Sequence, residues 1–338
     1  MAAWCAPDAD YWLWVWRREL GCGKLNRTLA LQIAGMREHR APPVYLNVGA
    51  NKGYEVAELL ELWAPHLHIT KAGWHRAIRR YAAQTRSGYL AWAAKGACND
   101  GFAASAAQQP PASLHVTNLT RPRVYAFELH PPTARLLSHL VNTTGAADMV
   151  EVINMPVSDS SRPVHIPKQT LGRPAGTEGS QITESSRGKN KLTNVPATSI
   201  DDFLDQRHMS DETIESVIVD TEGHDFRVLR GMERALSRRR VRQIEFEYSR
   251  YGFWNHGGAE SSLAFALTWL GRLGYFCYWQ CPHGTLLPAS PPCWRPGFEH
   301  KTWSNLRCAH EPGVLVLLEQ AARAEYHRRN AHSAAYLG

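Results

Sequence analysis

The residues that could do chemistry in this chain are two closely spaced glycines after an apolar run, and a set of acids that close later apolar runs. Val44 to Tyr54 reads V-Y-L-N-V-G-A-N-K-G-Y. A strand-like run enters a turn carrying Gly49, Ala50, Asn51 and Gly53, and Val56, Leu59, Leu60 and Trp63 then fall at helical spacing. Strand, glycine turn and helix in that order cradle a nucleotide-like ligand. The dinucleotide pattern G-x-G-x-x-G would need a glycine where Asn51 stands, and without it the backbone loses its close approach to a pyrophosphate. The turn suits a ligand lacking that group, such as S-adenosylmethionine; the plain alternative is a glycine turn that only joins a strand to a helix.

Arg123 to Glu128 (R-V-Y-A-F-E) is the next strand-like run to end on an acid. Ligands of open parallel sheets bind beyond the carboxyl ends of the strands, where Glu128 could accept hydrogen bonds from both ribose hydroxyls. Glu128 also suits the N-terminus of the helix that Pro131 and Pro132 introduce. Ser158 and Asp159 follow a third run, Met149 to Ile153, and could reach an adenine amino group. Val217 to Val219 ends at Asp220 and is followed by T-E-G-H-D, while Ile244 to Tyr248 carries Glu247 toward its far end. Asp220, Glu222 and His224 are the candidate bases. Imidazole titrates nearest neutrality, but Asp220 is best placed at a strand end. Glu222 and Asp225 also suit a helix N-terminus, where carboxylates are stabilised whatever their chemistry. Glu247 is the candidate contact to a substrate. Nothing in the spacing demands a divalent metal, so no metal site is expected.

Repeated strand then helix must position these groups, which argues for an α/β, doubly wound sheet. Residues 1–40 are Trp-rich and then helical, with Leu25, Leu29, Ile33 and Met36 in register, and form an N-terminal cap that Pro42 and Pro43 end. Residues 63–120 lack a sustained period apart from a helix around Trp74 to Ala82, and read as an insertion. Residues 160–194 are polar and rich in Gly, Ser and Lys, and read as a hairpin or loop arm. Val195 to Thr198 reads as a strand, Ser199 as the N-cap of a short helix, and Phe226 to Leu236 as one amphipathic helix. A helix from Ser262 to Leu273 stops at Gly274, a strand runs from Tyr275 to Trp279, and residues 311–338 form a terminal helix and tail.

The 338 residues are 44% apolar, enough for a large buried core. The formal charge is +7, but the basic residues are dispersed. The densest cluster, Arg238, Arg239, Arg240 and Arg242, follows a helix whose C-terminus attracts cations anyway, so no nucleic-acid partner is expected. No apolar span is long enough to cross a bilayer. Seven cysteines show no C-x-x-C spacing. Cys277, Cys281, Cys293 and Cys308 read as buried free thiols, with a disulfide or a structural zinc as the alternatives. N-x-[ST] sequons stand at Asn26, Asn118 and Asn142 and lean toward a secretory compartment, with a cytoplasmic one equally open.

Several of these pieces together resemble the FkbM-family methyltransferases. They are V-Y-L-N-V-G-A-N-K-G (44 to 53), Y-A-F-E-L-H-P (125 to 131), A-T-S-I-D-D-F-L (197 to 204), V-I-V-D-T-E-G-H-D-F-R-V-L-R-G (217 to 231) and I-E-F-E (244 to 247). The tail from Gly274 to Cys308 resembles eukaryotic members. The resemblance spans residues 41–310 and implies a Rossmann-like class I methyltransferase fold, S-adenosylmethionine as cofactor, and a hydroxyl of a sugar or small molecule as acceptor. It implies that Asn47, Gly49, Ala50, Asn51 and Gly53 wrap the methionine moiety, Glu128 the ribose, and Ser158 or Asp159 the adenine. Asp220 would lie beside the transferred methyl. The chain departs from the family's usual Asp at Asn47, Lys at Ile218 and Pro at Leu129. Those departures leave two rival classes, a non-catalytic binding protein on the same scaffold and, given the positive charge, a nucleic-acid methyltransferase.

Overall fold

The computed structural model describes residues 5, 42–85, 121–177, 182, 192–280, 286–301, 303–311 and 313–320. The strands are β1 (Val44–Val48), β2 (Arg123–Phe127), β3 (Val150–Ile153), β4 (Val164–Pro167), β5 (Leu192–Val195), β6 (Ile214–Val219), β7 (Gln243–Ser249), β8 (Phe276–Gln280), β9 (Leu286–Pro288) and β10 (Trp303–Ala309). Eight of them form one sheet in the order β3-β2-β1-β6-β7-β10-β8-β9, and β4 pairs with β5 in a separate hairpin. The pairings from β3 through β7 are parallel, and β10 is antiparallel to both β7 and β8. This is the mixed sheet of the class I methyltransferase type. The strand order reverses between β1 and β6, which opens a crevice at their carboxyl ends.

All five residues of β1 are buried, because helices cover both faces. Val44, Leu46 and Val48 pack with Val217 and Val219 of β6 on one face. That face is covered by helices α5 (Ile200–Gln206), α6 (Asp225–Arg230), α7 (Glu233–Ser237) and α9 (Leu263–Arg272). Tyr45 faces the other way with Val124 and Ala126, under α1 (Tyr54–Trp63), α2 (Lys71–Gln84) and α3 (Pro131–Thr143). Continuous apolar runs, rather than alternation, are what a strand covered on both sides requires. Two short helices, α4 (Lys168–Leu171) and α8 (Phe253–His256), lie in the loops.

Several elements differ from the sequence expectation. The helix expected around Trp74 to Ala82 is present as α2, but its Trp74, Ile78 and Ala82 are buried in the second core, so this part of the stretch read as an insertion packs in the helical layer; residues 86–120 lie outside the described residues. Val195 to Thr198 is not a strand of the main sheet: β5 ends at Val195, and Thr198 makes only an isolated bridge to Val157. The helix expected from Phe226 to Leu236 breaks at Gly231, where a Cβ would meet the Ser158 carbonyl oxygen at 2.0 Å. The period continues across the break, but the close crossing of another segment ends the helix. The thiol reading is corrected too, since Cys277 and Cys308 form a disulfide between paired residues of β8 and β10, and Cys293 is bridged to Cys5. Facing positions on adjacent antiparallel strands bring the two Cα atoms of the first pair to 4.0 Å. Ser199 and Ser262 cap their helices as expected, accepting from the N–H of Asp202 and Phe265. The 1–40 cap apart from Cys5, Cys281, the rest of the polar arm at 178–181 and 183–191, and the tail beyond 320 lie outside the described residues.

Candidate functional site

The turn after β1 is built by close backbone approach. Gly49 has φ +83°, and a Cβ there would fall 1.8 Å from the Asp220 carbonyl oxygen, so only glycine lets β1 and β6 end side by side. The N–H groups of Gly49 and Ala50 both donate to the Phe127 carbonyl, which binds the turn to β2 as well. Asn51 is left-handed at φ +44°, and Gly53, at φ +75°, precedes the first turn of α1. Trp74 of α2 donates its indole N–H to the Lys52 carbonyl at 2.7 Å and props the turn from behind.

Glu128, the first residue past β2, is buried. Its Oε2 accepts from the Asn51 N–H at 2.8 Å and its Oε1 from the His130 N–H at 2.7 Å. Burial raises its carboxyl from 4.5 to about 7, against the lowering pull of those two N–H groups and of Lys52. Asn154 donates to the Glu128 carbonyl at 2.7 Å and fixes the backbone that carries the acid.

Asp220 is the first residue past β6 and is partly exposed. Its carboxyl is raised well above the ordinary value by desolvation, then by the negative charges of Glu247, Glu222, Asp225 and Glu55. The register explains the first neighbour: Val219 pairs with Phe246, so Asp220 and Glu247 stand at the same level of adjacent strands. Glu247 is not at the strand end. It is buried two residues inside β7, opposite Asn305 of β10. Asn47 of β1, Asp220 and Glu247 alternate with residues of the first core and so share the opposite face of the sheet. Asn47 is 4% exposed, and neither its amide nitrogen nor its oxygen has a hydrogen-bond partner among the described residues.

The run after Asp220 is a folded clasp. Asp225, fully buried, accepts from the N–H of Thr221 at 3.1 Å and of Gly223 at 3.0 Å. Burial raises its carboxyl to about 7. Glu222 occupies the left-handed region at φ +54° and remains partly exposed. His224 is buried, and its Nε2 lies 2.9 Å from the Ser158 Oγ; burial lowers its imidazole to about 4, so it is neutral near pH 7. Asp159 accepts from Arg227 of α6 at 2.8 Å. The Ser158 and Asp159 side chains are therefore both held by α6 and the residue preceding it. Asn47, Gly49, Asn51, Glu128, Asp220, Glu222 and Glu247 stand at or near the carboxyl ends of β1, β2, β6 and β7, whereas His224 turns toward Ser158.

Several supporting residues carry no local sequence signal. Lys52 is buried and donates to the Gly176 carbonyl at 3.2 Å; Gly176 N–H in turn donates to Thr133 Oγ1, which lies 2.8 Å from His130 Nδ1. This chain of contacts ties the 160–194 arm to the glycine turn and to the loop carrying Glu128. Among the described residues no group of three or more His, Cys, Asp or Glu side chains could hold a metal ion.

The carboxyl end of the sheet fits S-adenosylmethionine on three observations: a buried asparagine amide and an Asn51 side-chain oxygen in the glycine turn, both without a partner among the described residues, and an acid at the end of the adjacent strand. A search of the curated proteins finds no match. Solved structures with similar chain courses include a human methyltransferase 10 domain containing protein (9% identity, 86% of this chain and 82% of that one, TM-score 0.34). They also include a SAM-dependent methyltransferase from Agrobacterium tumefaciens (9% identity, 87% and 64%, TM-score 0.35) and cofactor-bound Rv0187 from MTB (11% identity, 90% of each chain, TM-score 0.34). The family model described as the methyltransferase FkbM domain matches residues 47–277, which contain every candidate site residue named above. The chain belongs to the FkbM-domain family of S-adenosylmethionine-dependent methyltransferases.

Proposed function

We propose that this protein transfers a methyl group to a hydroxyl oxygen of a sugar or other small molecule, with Asp220 as the base. The observation that carries the reading is the place of Asp220, partly exposed as the first residue past β6 and level with Glu247 of the adjacent strand. A hydroxyl acceptor must lose its proton as the new bond forms, and the ionised Asp220 carboxylate, beside Glu247 and Glu222, is placed to take it. When bound, S-adenosylmethionine supplies an electrophilic methyl carbon on a sulfonium sulfur. Asn47 and the Gly49 to Gly53 turn hold the methionine moiety, Glu128 the ribose, and Ser158 or Asp159 the adenine. Glu247 contacts the acceptor, Glu222 is the alternative base, and His224 positions Ser158. Holding cofactor and acceptor against the turn and the sheet end aligns the reactants, which is most of what an in-line displacement asks of a protein. The Gly274 to Cys308 tail supports a eukaryotic-type member.

A nucleic-acid acceptor is disfavoured by the placement of the arginine cluster. Arg240 and Arg242 precede β7, on the edge opposite the crevice, and are paired with Asp211, Glu215 and Glu311. The non-catalytic reading rests on Asn47 and Ile218, neighbours in the β1–β6 register, which replace the usual charged residues of the family. The test is mass spectrometry of sugar and small-hydroxyl pools incubated with methyl-labelled cofactor, run on wild type and Asp220→Asn. A labelled ether formed by wild type alone, with cofactor affinity kept in the variant, supports the proposal. Cofactor binding without product favours the binding-protein reading, and full activity in Asp220→Asn removes the carboxylate base.

A further inference from the structure

The sequon Asn142-Thr143-Thr144 occupies the end of α3, away from the site described above. Asn142 is exposed, and its side-chain amide makes no hydrogen bond among the described residues. The Thr144 hydroxyl folds back onto the Leu140 carbonyl at 2.8 Å, and Gly145, at φ +76°, turns the chain away from the helix. At 1.5 Å per residue, Asn142 lies about 17 Å along α3 from Pro131, whose end of the helix adjoins Glu128 and His130. A bulky group on Asn142 would therefore project to solvent on the edge remote from the crevice.

An independent observation concerns redox environment. Cys277 and Cys308 are fully buried in the sheet and joined, and Cys293 is joined to Cys5. Structural disulfides of this kind form and persist in oxidising compartments and are rare in the cytosol. Those compartments include the ones in which asparagine sequons are glycosylated, so the bridges and the exposed sequon share one explanation.

We infer that Asn142 is an N-glycosylation site and that the protein matures in the secretory pathway. The donor is a lipid diphosphate-linked oligosaccharide. The Asn142 amide nitrogen attacks the anomeric carbon of the reducing-end sugar, a C–N bond forms, the C–O bond to the diphosphate breaks, the nitrogen loses one proton, and lipid diphosphate leaves. No oxidant is required for this step. It takes place on the nascent chain, before Thr144 is drawn into the helix end, and the folded α3 then presents the glycan outward. The inference is independent of which acceptor is methylated.

The test uses endogenous protein captured from its native cells in the presence of a thiol-alkylating reagent and mapped by peptide mass spectrometry. Spectra are taken before and after an amidase that releases N-glycans. The Asn142 peptide is expected as a glycopeptide that the amidase converts to the aspartate form, with Cys277 and Cys308 recovered as one linked, unalkylated pair. Asn142→Gln expressed in the same cells should migrate faster by the mass of one glycan, whatever the state of Asn26 and Asn118. A predominantly bare Asn142 peptide overturns the inference, and so do alkylated Cys277 and Cys308. Both readouts come from the wild-type chain and do not depend on the variant folding.

Discussion

Glu128 accepts the backbone N–H of Asn51 through one carboxylate oxygen and that of His130 through the other, so the acid at the end of β2 also holds the glycine turn that follows β1. Its proposed ribose contact and its structural role share one side chain. Glu128→Ala should therefore do two things at once. Leaving the buried His130 N–H unpaired costs about 1–3 kcal/mol, the partly buried Asn51 N–H adds less, and affinity for S-adenosylhomocysteine should fall at least about tenfold. Denaturant unfolding and calorimetry measure the two effects separately, and an affinity within twofold of wild type would remove Glu128 from the cofactor site.

The same carboxyl predicts a pH dependence of stability. Its value rises from 4.5 in the unfolded chain to about 7 in the folded one, chiefly by desolvation. Between those values the folded state keeps a proton that the unfolded state has released, so stability falls as pH rises, by up to about 3 kcal/mol across the window. Asp225 acts in the same direction, rising from 3.8 to about 7, and His224 in the opposite one, dropping from 6.5 to about 4. The balance predicts a protein less resistant to urea at pH 7.5 than at pH 5.5. Glu128→Gln should flatten that slope. An unchanged slope in the variant would show that Glu128 is ionised in the folded protein throughout.

What could be read from the chain was local. The V-Y-L-N-V-G-A-N-K-G turn, Glu128 and Asp220 stand at strand ends because apolar runs stop there, and the Ser262 to Gly274 helix announces both its cap and its stop. Contacts between distant segments carry no such signal. Lys52 and Gly176 are 124 residues apart, and no period connects them. Asp225 looks like any acid at a helix start until its carboxylate is seen clasping Thr221 and Gly223. The Gly231 break follows from the crossing of Ser158, and the placement of β10 between β7 and β8 is a matter of sheet order that local pattern leaves open.

Asn47 should separate cofactor binding from stability. Its buried amide has no partner among the described residues, an arrangement that costs about 1–3 kcal/mol in a folded protein. Asn47→Ala removes both polar atoms, so thermal stability without ligand should be unchanged or higher. Cofactor affinity should nevertheless drop about tenfold, the worth of one hydrogen bond to a charged group. Calorimetry beside a melting curve reads the two. A variant that binds S-adenosylmethionine as well as wild type would make Asn47 a packing residue.

Glu245 and Arg307 face each other across β7 and β10, 1% and 3% exposed, and form an ion pair inside the sheet. Removing Arg307 takes the opposite charge away from buried Glu245, which keeps the Asn305 amide at 3.4 Å. Arg307→Met should cost about 3–5 kcal/mol, while adding Glu245→Leu should recover most of that loss. A double-mutant cycle by denaturant unfolding gives the coupling directly, and a single variant within 1 kcal/mol of wild type would show that Glu245 is neutral or hydrated in the folded chain.

Gly223 joins the candidate active-site turn to the loop after β7. Its carbonyl accepts the Phe253 N–H at 2.8 Å, and a Cβ on it would fall 2.3 Å from the Tyr251 carbonyl oxygen, with φ at +96° besides. Gly223→Ala must push the two loops apart and strain its own backbone, a combination expected to cost about 2 kcal/mol or more. The displaced segment includes Glu222, one of the groups that raise Asp220. Loss of turnover should therefore exceed what the unfolded fraction explains. The measurement is activity per folded molecule at a temperature well below the variant's melting point. If that specific activity equals wild type, the turn does not need its present seat against Tyr251, and Glu222 is not part of the reacting group.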